Sequence, residues 1–234
     1  MSLKRKAAVF LSVVFCLGIT AILLPNDNEY KTASADAFQC NTVIIDPGHG
    51  GFDGGAVAGD GTVEKNINLE ISNKLSDFLT LCGFRVIMTR TSDDSTDNID
   101  GSVAKRKRND LENRLLLMEK NPDSIYVSIH LNKFTTSAAS GTQVFYSPKF
   151  KESEVLSKAI QKRVVDMLQP ENTRTVKKGT SATFLLKNAK VPAVIVECGF
   201  LSNKYDLEKL KDEEYQSQMA IAIACGINDY YIKN

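Results

Sequence analysis

Short apolar runs that alternate with longer helical stripes are the feature that most constrains the fold. Residues 43–45, 84–88, 125–129 and 193–196 have the length and apolar character of buried strands, and residues 142–146 alternate like a further strand. Apolar residues recur at helical spacing at Ile67, Ile71, Leu75, Phe78, Leu79 and Cys82, at Leu111, Leu115 and Met118, at Val155, Ala159, Ile160, Val164 and Leu168, and within residues 215–232. This β–α–β–α order predicts one α/β domain around a largely buried sheet.

The charge balance argues against a nucleic-acid partner, because 29 Lys and Arg residues are matched by 28 Asp and Glu residues. The five cysteines are scattered and form no CxxC pair. We therefore expect free, mostly buried thiols and no zinc–thiolate site.

The N-terminus differs in character from the rest of the chain. A basic cluster at residues 4–6 precedes an apolar run over residues 7–24, which is the order found in a secretory signal or membrane anchor. We assign residues 1–25 to a signal or anchor, residues 26–40 to a linker and residues 41–234 to the folded domain. Cleavage stays open, because an A-x-A match at residues 33–35 lies well beyond the apolar run.

Three predicted strands lead into residues with metal or proton chemistry. The first strand precedes His49, the third runs into His130, and the last runs into Glu197. Ligand sites in open α/β sheets lie beyond the carboxyl ends of the strands, so parallel strands would bring these residues together. Glu64 opens the helix after a glycine-rich loop that can fold back over the same edge.

Two histidines and a carboxylate form a catalytic zinc set, which leaves one position for water, and a further carboxylate can then move the proton. Each residue also has a simpler explanation. His49 could stabilise a turn, His130 could be a hydrogen-bonded core residue, and Glu64 could favour a helix N-terminus. Glu197 is the hardest to explain simply, because a carboxylate on a core strand costs several kcal/mol unless it is paired or liganded.

Seven stretches resemble the zinc-dependent N-acetylmuramoyl-L-alanine amidases of the amidase-3 family, which are peptidoglycan hydrolases. They are IIDPGHGGFDGGAV, EKNINLEISNKL, VIMTR, YVSIHLN, GTQVFY, VPAVIVECGFLSN and YQSQMAIAIACGINDYY, and together they extend from Asn41 to about residue 232. The resemblance implies a three-layer α/β/α sandwich around a mostly parallel six-stranded sheet. By position it implies one Zn²⁺ held by His49, Glu64 and His130, with Glu197 as general base and then general acid.

The bond cut would join the lactyl carbonyl of N-acetylmuramic acid to the L-alanine of the stem peptide. A zinc peptidase that cuts within the stem peptide and a non-catalytic wall-binding module are the competing hypotheses. The chain also resembles the sporulation amidases that prepare spore cortex for muramic-δ-lactam formation. We therefore expect an exported protein on the cell-wall or spore-cortex side, either secreted or anchored to the membrane through its N-terminal segment, and we hypothesise an accessory protein partner.

Several local features leave a role open. Met118 and Glu119 replace an Ala-Asn pair that is frequent in the family, and the short segment between Tyr146 and the next helix predicts no built-in inhibitory helix. The charged residues 92–110 could form a partner or substrate surface, although a solvated loop is the simpler expectation. Arg90 and Arg114 could contact acidic substrate groups or serve as structural ion pairs.

Overall fold

The computed structural model describes residues 41–180 and 183–233, and the predictions for residues 1–25 and 26–40 lie outside this part of the chain. The elements, in chain order, are β1 (Thr42–Pro47), α1 (Glu64–Leu81), β2 (Arg85–Met88), α2 (Val103–Glu119), β3 (Ser124–Asn132), β4 (Gln143–Tyr146), α3 (Lys151–Leu168), β5 (Lys177–Lys178), α4 (Phe184–Asn188), β6 (Ala193–Phe200), α5 (Lys204–Leu210) and α6 (Glu213–Lys233).

The six strands form one mostly parallel sheet in the order β2-β1-β3-β6-β4-β5. Strands β2, β1, β3 and β6 run parallel, whereas β4 pairs antiparallel with β6, and β5 runs parallel to β4. The four parallel strands direct their carboxyl ends to one edge. This confirms the predicted sheet and places the end of β1 beside those of β3 and β6.

Helices cover both faces of the sheet, as the three-layer prediction requires. On one face, apolar side chains of β1, β3 and β6 form a core with α1, α3 and α6. The other face packs against α2 and α4. The predicted α1 stripe supplies buried Ile67, Ile71, Leu75 and Leu79. None of the helices in the described residues has the length and apolar character to cross a membrane.

Several sequence-based boundaries are wrong. Strand β3 continues to Asn132 and β6 continues to Phe200, so His130 and Glu197 lie within strands and not at their ends. The backbones keep pairing past these residues, because after an irregularity at His130 the ladder resumes between Asn132 and Phe200.

Two further local predictions need correction. Cys82 does not belong to the buried stripe: it is exposed just after α1, and Gly83 follows at a φ of 85° and turns the chain towards β2. Helix α2 begins at Val103, inside the segment expected to be a loop, since the Ser102 side chain accepts the N–H of Lys105 as an N-cap.

Candidate metal centre and active site

His49, Glu64 and His130 meet at the carboxyl edge of the sheet. His49 Nε2 lies 3.4 Å from Glu64 Oε2, and His130 Nδ1 lies 3.0 Å from Glu64 Oε1. One donor atom from each of the three residues lies within 4.8 Å of those of the other two. The structure therefore brings together the three residues that the sequence proposed as metal ligands, from the turn after β1, the start of α1 and strand β3.

A strained turn aims the imidazole of His49. His49 has a φ of 63°, a left-handed conformation that non-glycine residues rarely adopt. Its Nδ1 contacts Asp53 Oδ2 at 2.9 Å, and the same carboxylate oxygen lies 2.9 Å from Lys107 Nζ. Asp53 thus fixes the ring so that Nε2 faces Glu64. Sequence reasoning missed Asp53, although its place four residues after His49 in the same turn was a usable signal.

Glu64 is almost fully buried, and the surrounding donors fix its carboxylate. Oε2 accepts the Ala56 N–H at 2.8 Å, while Oε1 accepts the Leu131 N–H at 3.1 Å and an Asn68 amide N–H at 3.3 Å. Burial opposes ionisation of Glu64, but hydrogen bonds and attraction from the two histidines outweigh it and hold its pKa well below the usual range. Glu64 is therefore an ionised, preoriented ligand.

The electrostatics of His49 follow from the same contacts. Burial disfavours its charged form, but the hydrogen bonds to Asp53 and Glu64 prevail and raise its pKa to about 9. These contacts therefore favour the protonated form of the His49 imidazole at neutral pH. A metal ion would have to displace this proton on binding.

Two glycines allow the backbone to pass directly against the proposed ligands. A Cβ atom on Gly48 would lie 2.3 Å from Cε1 of His130. A Cβ on Gly55, which has a φ of 70°, would lie 2.6 Å from Glu64 Oε2 and 2.6 Å from His49 Cδ2. Gly48 and Gly55 are thus required by close approach at the site and not only by chain flexibility.

Glu197 faces the cluster from the neighbouring strand. It is the register partner of His130 in the β3–β6 ladder, so the two side chains emerge on the same face of the sheet. Among the described residues, Glu197 Oε2 is buried and has no hydrogen-bond partner. Burial raises the pKa of Glu197 to about 7; nearby Glu64 adds to this rise, and the two histidines oppose it. A carboxyl group in this state can exchange a proton near neutral pH.

Cys198 takes the opposite face, as strand alternation predicts. Its side chain joins the core cluster that contains Val194 and Val196. Burial raises the pKa of the Cys198 thiol well above its usual range. The thiol is therefore neither a metal donor nor a nucleophile at this site.

The donor set fits zinc. Two imidazoles and one carboxylate, with no thiolate, match the three-ligand sets of catalytic zinc sites. Two of the proposed ligands are also held by outer partners, His49 by Asp53 and Glu64 by Asn68 and two backbone N–H groups, which is typical of metal centres in proteins.

Comparison with known proteins agrees with this geometry. The family described as N-acetylmuramoyl-L-alanine amidase matches residues 43–229. The germination-specific N-acetylmuramoyl-L-alanine amidase of Bacillus subtilis (strain 168) is 38% identical to this chain, covering 97% of it and 96% of the relative. The chain belongs to the N-acetylmuramoyl-L-alanine amidase family. It is accordingly an amidase that acts on peptidoglycan.

Solved structures support the assignment. The CwlD amidase from Clostridioides difficile, solved in complex with the GerS lipoprotein, superposes with a TM-score of 0.79 at 38% identity, over 83% of this amidase and 100% of that chain. An N-acetylmuramoyl-L-alanine amidase from Clostridium difficile 630 gives a TM-score of 0.72 at 30% identity, over 83% and 98% of the two chains.

Two buried arginines hold the turn that carries His49 in the amidase. Arg90 donates from Nε to the Pro47 carbonyl at 3.0 Å and from Nη2 to the Gly48 carbonyl at 3.1 Å. Arg114 donates from Nη2 to the His49 carbonyl at 3.0 Å. Each arginine is at most 5% exposed, so the structure favours the structural role over contact with substrate.

Arg114 also neutralises a buried acid in the amidase core. Its Nη1 bonds Asp46, whose carboxylate further accepts Thr89 Oγ1 at 2.7 Å and Ser128 Oγ at 2.6 Å. Burial alone would raise the pKa of Asp46, but Arg114 and these hydroxyls lower it to about 2. On its other side Arg114 Nε donates to Asp110 Oδ2 at 2.8 Å. The Asp46–Arg114 pair is therefore ionised across the neutral pH range.

The charged segment 92–110 of the amidase packs against the glycine loop. Asp93 accepts the Gly51 N–H at 3.0 Å and lies 2.7 Å from Lys65 Nζ. Arg106 pairs with Asp97 at 2.7 Å and lies over the ring of Phe52 at 4.1 Å. Part of the segment thus stabilises the active-site loop. The expectation of a solvated loop did not include this role.

Proposed function

We propose that the chain is a zinc-dependent amidase that hydrolyses the amide between the lactyl carbonyl of N-acetylmuramic acid and L-alanine. His49, Glu64 and His130 would hold one Zn²⁺. The convergence of two imidazoles on one buried, ionised carboxylate is the observation that carries this proposal. Bound zinc supplies a Lewis acid that polarises the scissile carbonyl and lowers the pKa of water.

The protein groups around the site have distinct tasks. Asp53 keeps His49 oriented, and the N–H groups of Ala56 and Leu131 fix the two oxygens of Glu64. These contacts exist before substrate arrives, so little reorganisation is needed during the reaction.

Glu197 would act as general base and then as general acid. Its carboxylate would take a proton from the attacking water, and the resulting carboxylic acid would return one to the leaving nitrogen of L-alanine; burial, which raises the pKa of Glu197, favours this return. The free Oε2, with no protein partner in the described part of the chain, leaves one oxygen available for this transfer.

Mass spectrometry of digested peptidoglycan tests the reaction. Zinc-loaded protein should release stem peptides that begin with L-alanine and leave glycan strands with free lactyl groups, and chelation should abolish the release. Shortened peptides still attached to muramic acid would instead identify a peptidase that cuts within the stem. Absence of any product in the presence of zinc, both with and without a co-expressed candidate partner protein, would favour a wall-binding module.

The biological setting that we propose is the spore cortex, where stem-peptide removal would precede muramic-δ-lactam formation. The germination-specific name of the Bacillus subtilis relative supports this setting. Export, with membrane anchoring or secretion through residues 1–25, agrees with the basic and apolar order of that segment.

An accessory protein would complete this setting. The CwlD amidase was solved with the GerS lipoprotein, which supports a partner for this chain as well. Activity that appears only on co-expression with a candidate partner would support the idea, whereas full activity of the pure chain would count against it.

A further inference from the structure

A cavity of about 370 Å³ opens between the start of β4 and helices α5 and α6. None of the four proposed metal and catalytic residues lines it. Its charged and aromatic lining residues are Glu171, Arg174, Tyr205, Asp206, Lys209 and Tyr215. We call it the Arg174–Lys209 cavity.

Aromatic rings orient the two cations of the cavity. The guanidinium carbon of Arg174 lies 4.6 Å from the centroid of the Phe200 ring, and Lys209 Nζ lies 4.1 Å from that of Tyr205 and 5.6 Å from that of Tyr215. Within residues 41–180 and 183–233, neither cation has a carboxylate within ion-pair distance. The positive charges are therefore held in place without being neutralised.

The two acidic residues of the cavity do not neutralise these cations. Asp206 is buried, and its Oδ2 accepts the N–H groups of Gly141 and Phe200, each at 2.9 Å. Glu171 is exposed to solvent. The cavity thus offers oriented cationic donors to a ligand.

Arg174 connects the cavity to the catalytic residues. Its Nε donates to the Ser140 carbonyl at 2.6 Å and its Nη1 to Gln143 Oε1 at 3.2 Å. Gln143 is the register partner of Glu197 in the β4–β6 ladder, so both side chains lie on the same face of the sheet. Nη2 of Arg174 has no hydrogen-bond partner among the described residues and can bind a ligand oxygen.

We propose that the Arg174–Lys209 cavity binds a carboxylate of the stem peptide while the amide bond is cut at the neighbouring centre. This inference rests on the proposed amidase function and adds a feature of the substrate that the enzyme recognises. An N-acetylated glycan offers neutral oxygens, whereas a peptide segment beyond L-alanine carries carboxylates that match two oriented cations.

Co-sedimentation with insoluble peptidoglycan tests this site apart from turnover. The full-length, zinc-loaded chain carries Glu197→Gln to prevent cleavage, and the peptidoglycan is used untreated or with its carboxylates converted to amides by carbodiimide and ammonium. We expect amidation to weaken binding about tenfold, as the loss of one charge-assisted contact predicts. In the same background, Lys209→Met should bind untreated peptidoglycan about as weakly as the parent binds the amidated form.

Lys204→Met is the matched control, because Lys204 is exposed on the same helix but does not line the cavity. It should keep the parent's preference for untreated peptidoglycan. Equal binding of the parent to both preparations, or parent-like binding by Lys209→Met, would overturn the proposal. Failure of the amidase function would appear separately, as the absence of free lactyl groups in a wild-type digest.

Discussion

Replacing Glu197 by Gln should remove activity and change how stability depends on pH. The substitution keeps the shape of the side chain but removes its charge and its ability to accept a proton. Loss of a general base reduces turnover by roughly 10²–10⁴-fold. Zinc content should stay at one ion per chain, because Glu197 is not among the three clustered donor residues.

The stability effect follows from the raised pKa of Glu197. In the unfolded chain this carboxyl group ionises around its ordinary value of 4.5, whereas in the folded protein it ionises at about 7. Between these values the folded state holds one more proton than the unfolded state, so stability falls as pH rises. Relative to its value at low pH, the free energy of unfolding is lower by about 3 kcal/mol above pH 7, and this reduction is absent below pH 4.5.

Urea denaturation of chelated, metal-free protein measures this loss. The difference in unfolding free energy between Glu197→Gln and the wild type should move in favour of the variant by about 3 kcal/mol between roughly pH 4.5 and 8. All other titrating groups are common to both proteins, and those that do not interact with Glu197 cancel in this comparison. Glu152→Gln, at an exposed glutamate, controls for the chemical change itself.

A pH-independent difference between Glu197→Gln and the wild type would refute the assignment of Glu197 as a buried carboxyl group that titrates near neutral pH. Turnover within tenfold of the wild type would refute its role as the base. The two outcomes are independent, because the first is measured without metal and the second with it.

Two further substitutions test the support of the site. Asp53→Asn should weaken zinc binding by roughly 10–100-fold, since it weakens the contact that orients His49; competition with a chelating dye measures this, and unchanged affinity would show that the contact is incidental. Arg114→Met should cost about 3–5 kcal/mol in urea denaturation, because it leaves Asp46 buried without its cation. Arg163→Met, which breaks a more exposed ion pair, should cost clearly less, and an equal cost for both arginines would contradict the argument.

Local pattern was enough to predict much of the architecture. Strand β1 and the buried stripe of α1 follow from apolar spacing, which is a property of a few consecutive residues. The ends of β3 and β6 were misplaced, because polar His130 and Glu197 resemble strand ends in sequence while their backbones continue to pair. Helix α2 was started too late, because its first turns carry charges typical of a loop.

The sequence by itself determined the chemistry available to this protein. With two histidines in the whole chain, His49 and His130 were the only imidazoles for a metal site, and the motifs around them indicated the family. Tertiary structure decided how that chemistry is supported. Arg114 is 65 positions from His49 and Asn68 is 20 from Gly48, yet both side chains bond the backbone of the metal-site turn.

Tertiary structure also decided two further features: the raised pKa of Glu197 and the cations of the Arg174–Lys209 cavity that have no ion-pair partner among the described residues. Each depends on which groups burial brings near and which it keeps away. Periodicity along the chain predicts which face of a helix or strand a residue occupies, but it carries no information about partners from distant elements. Those partners exist only once the sheet has set its register and the helices have packed against it.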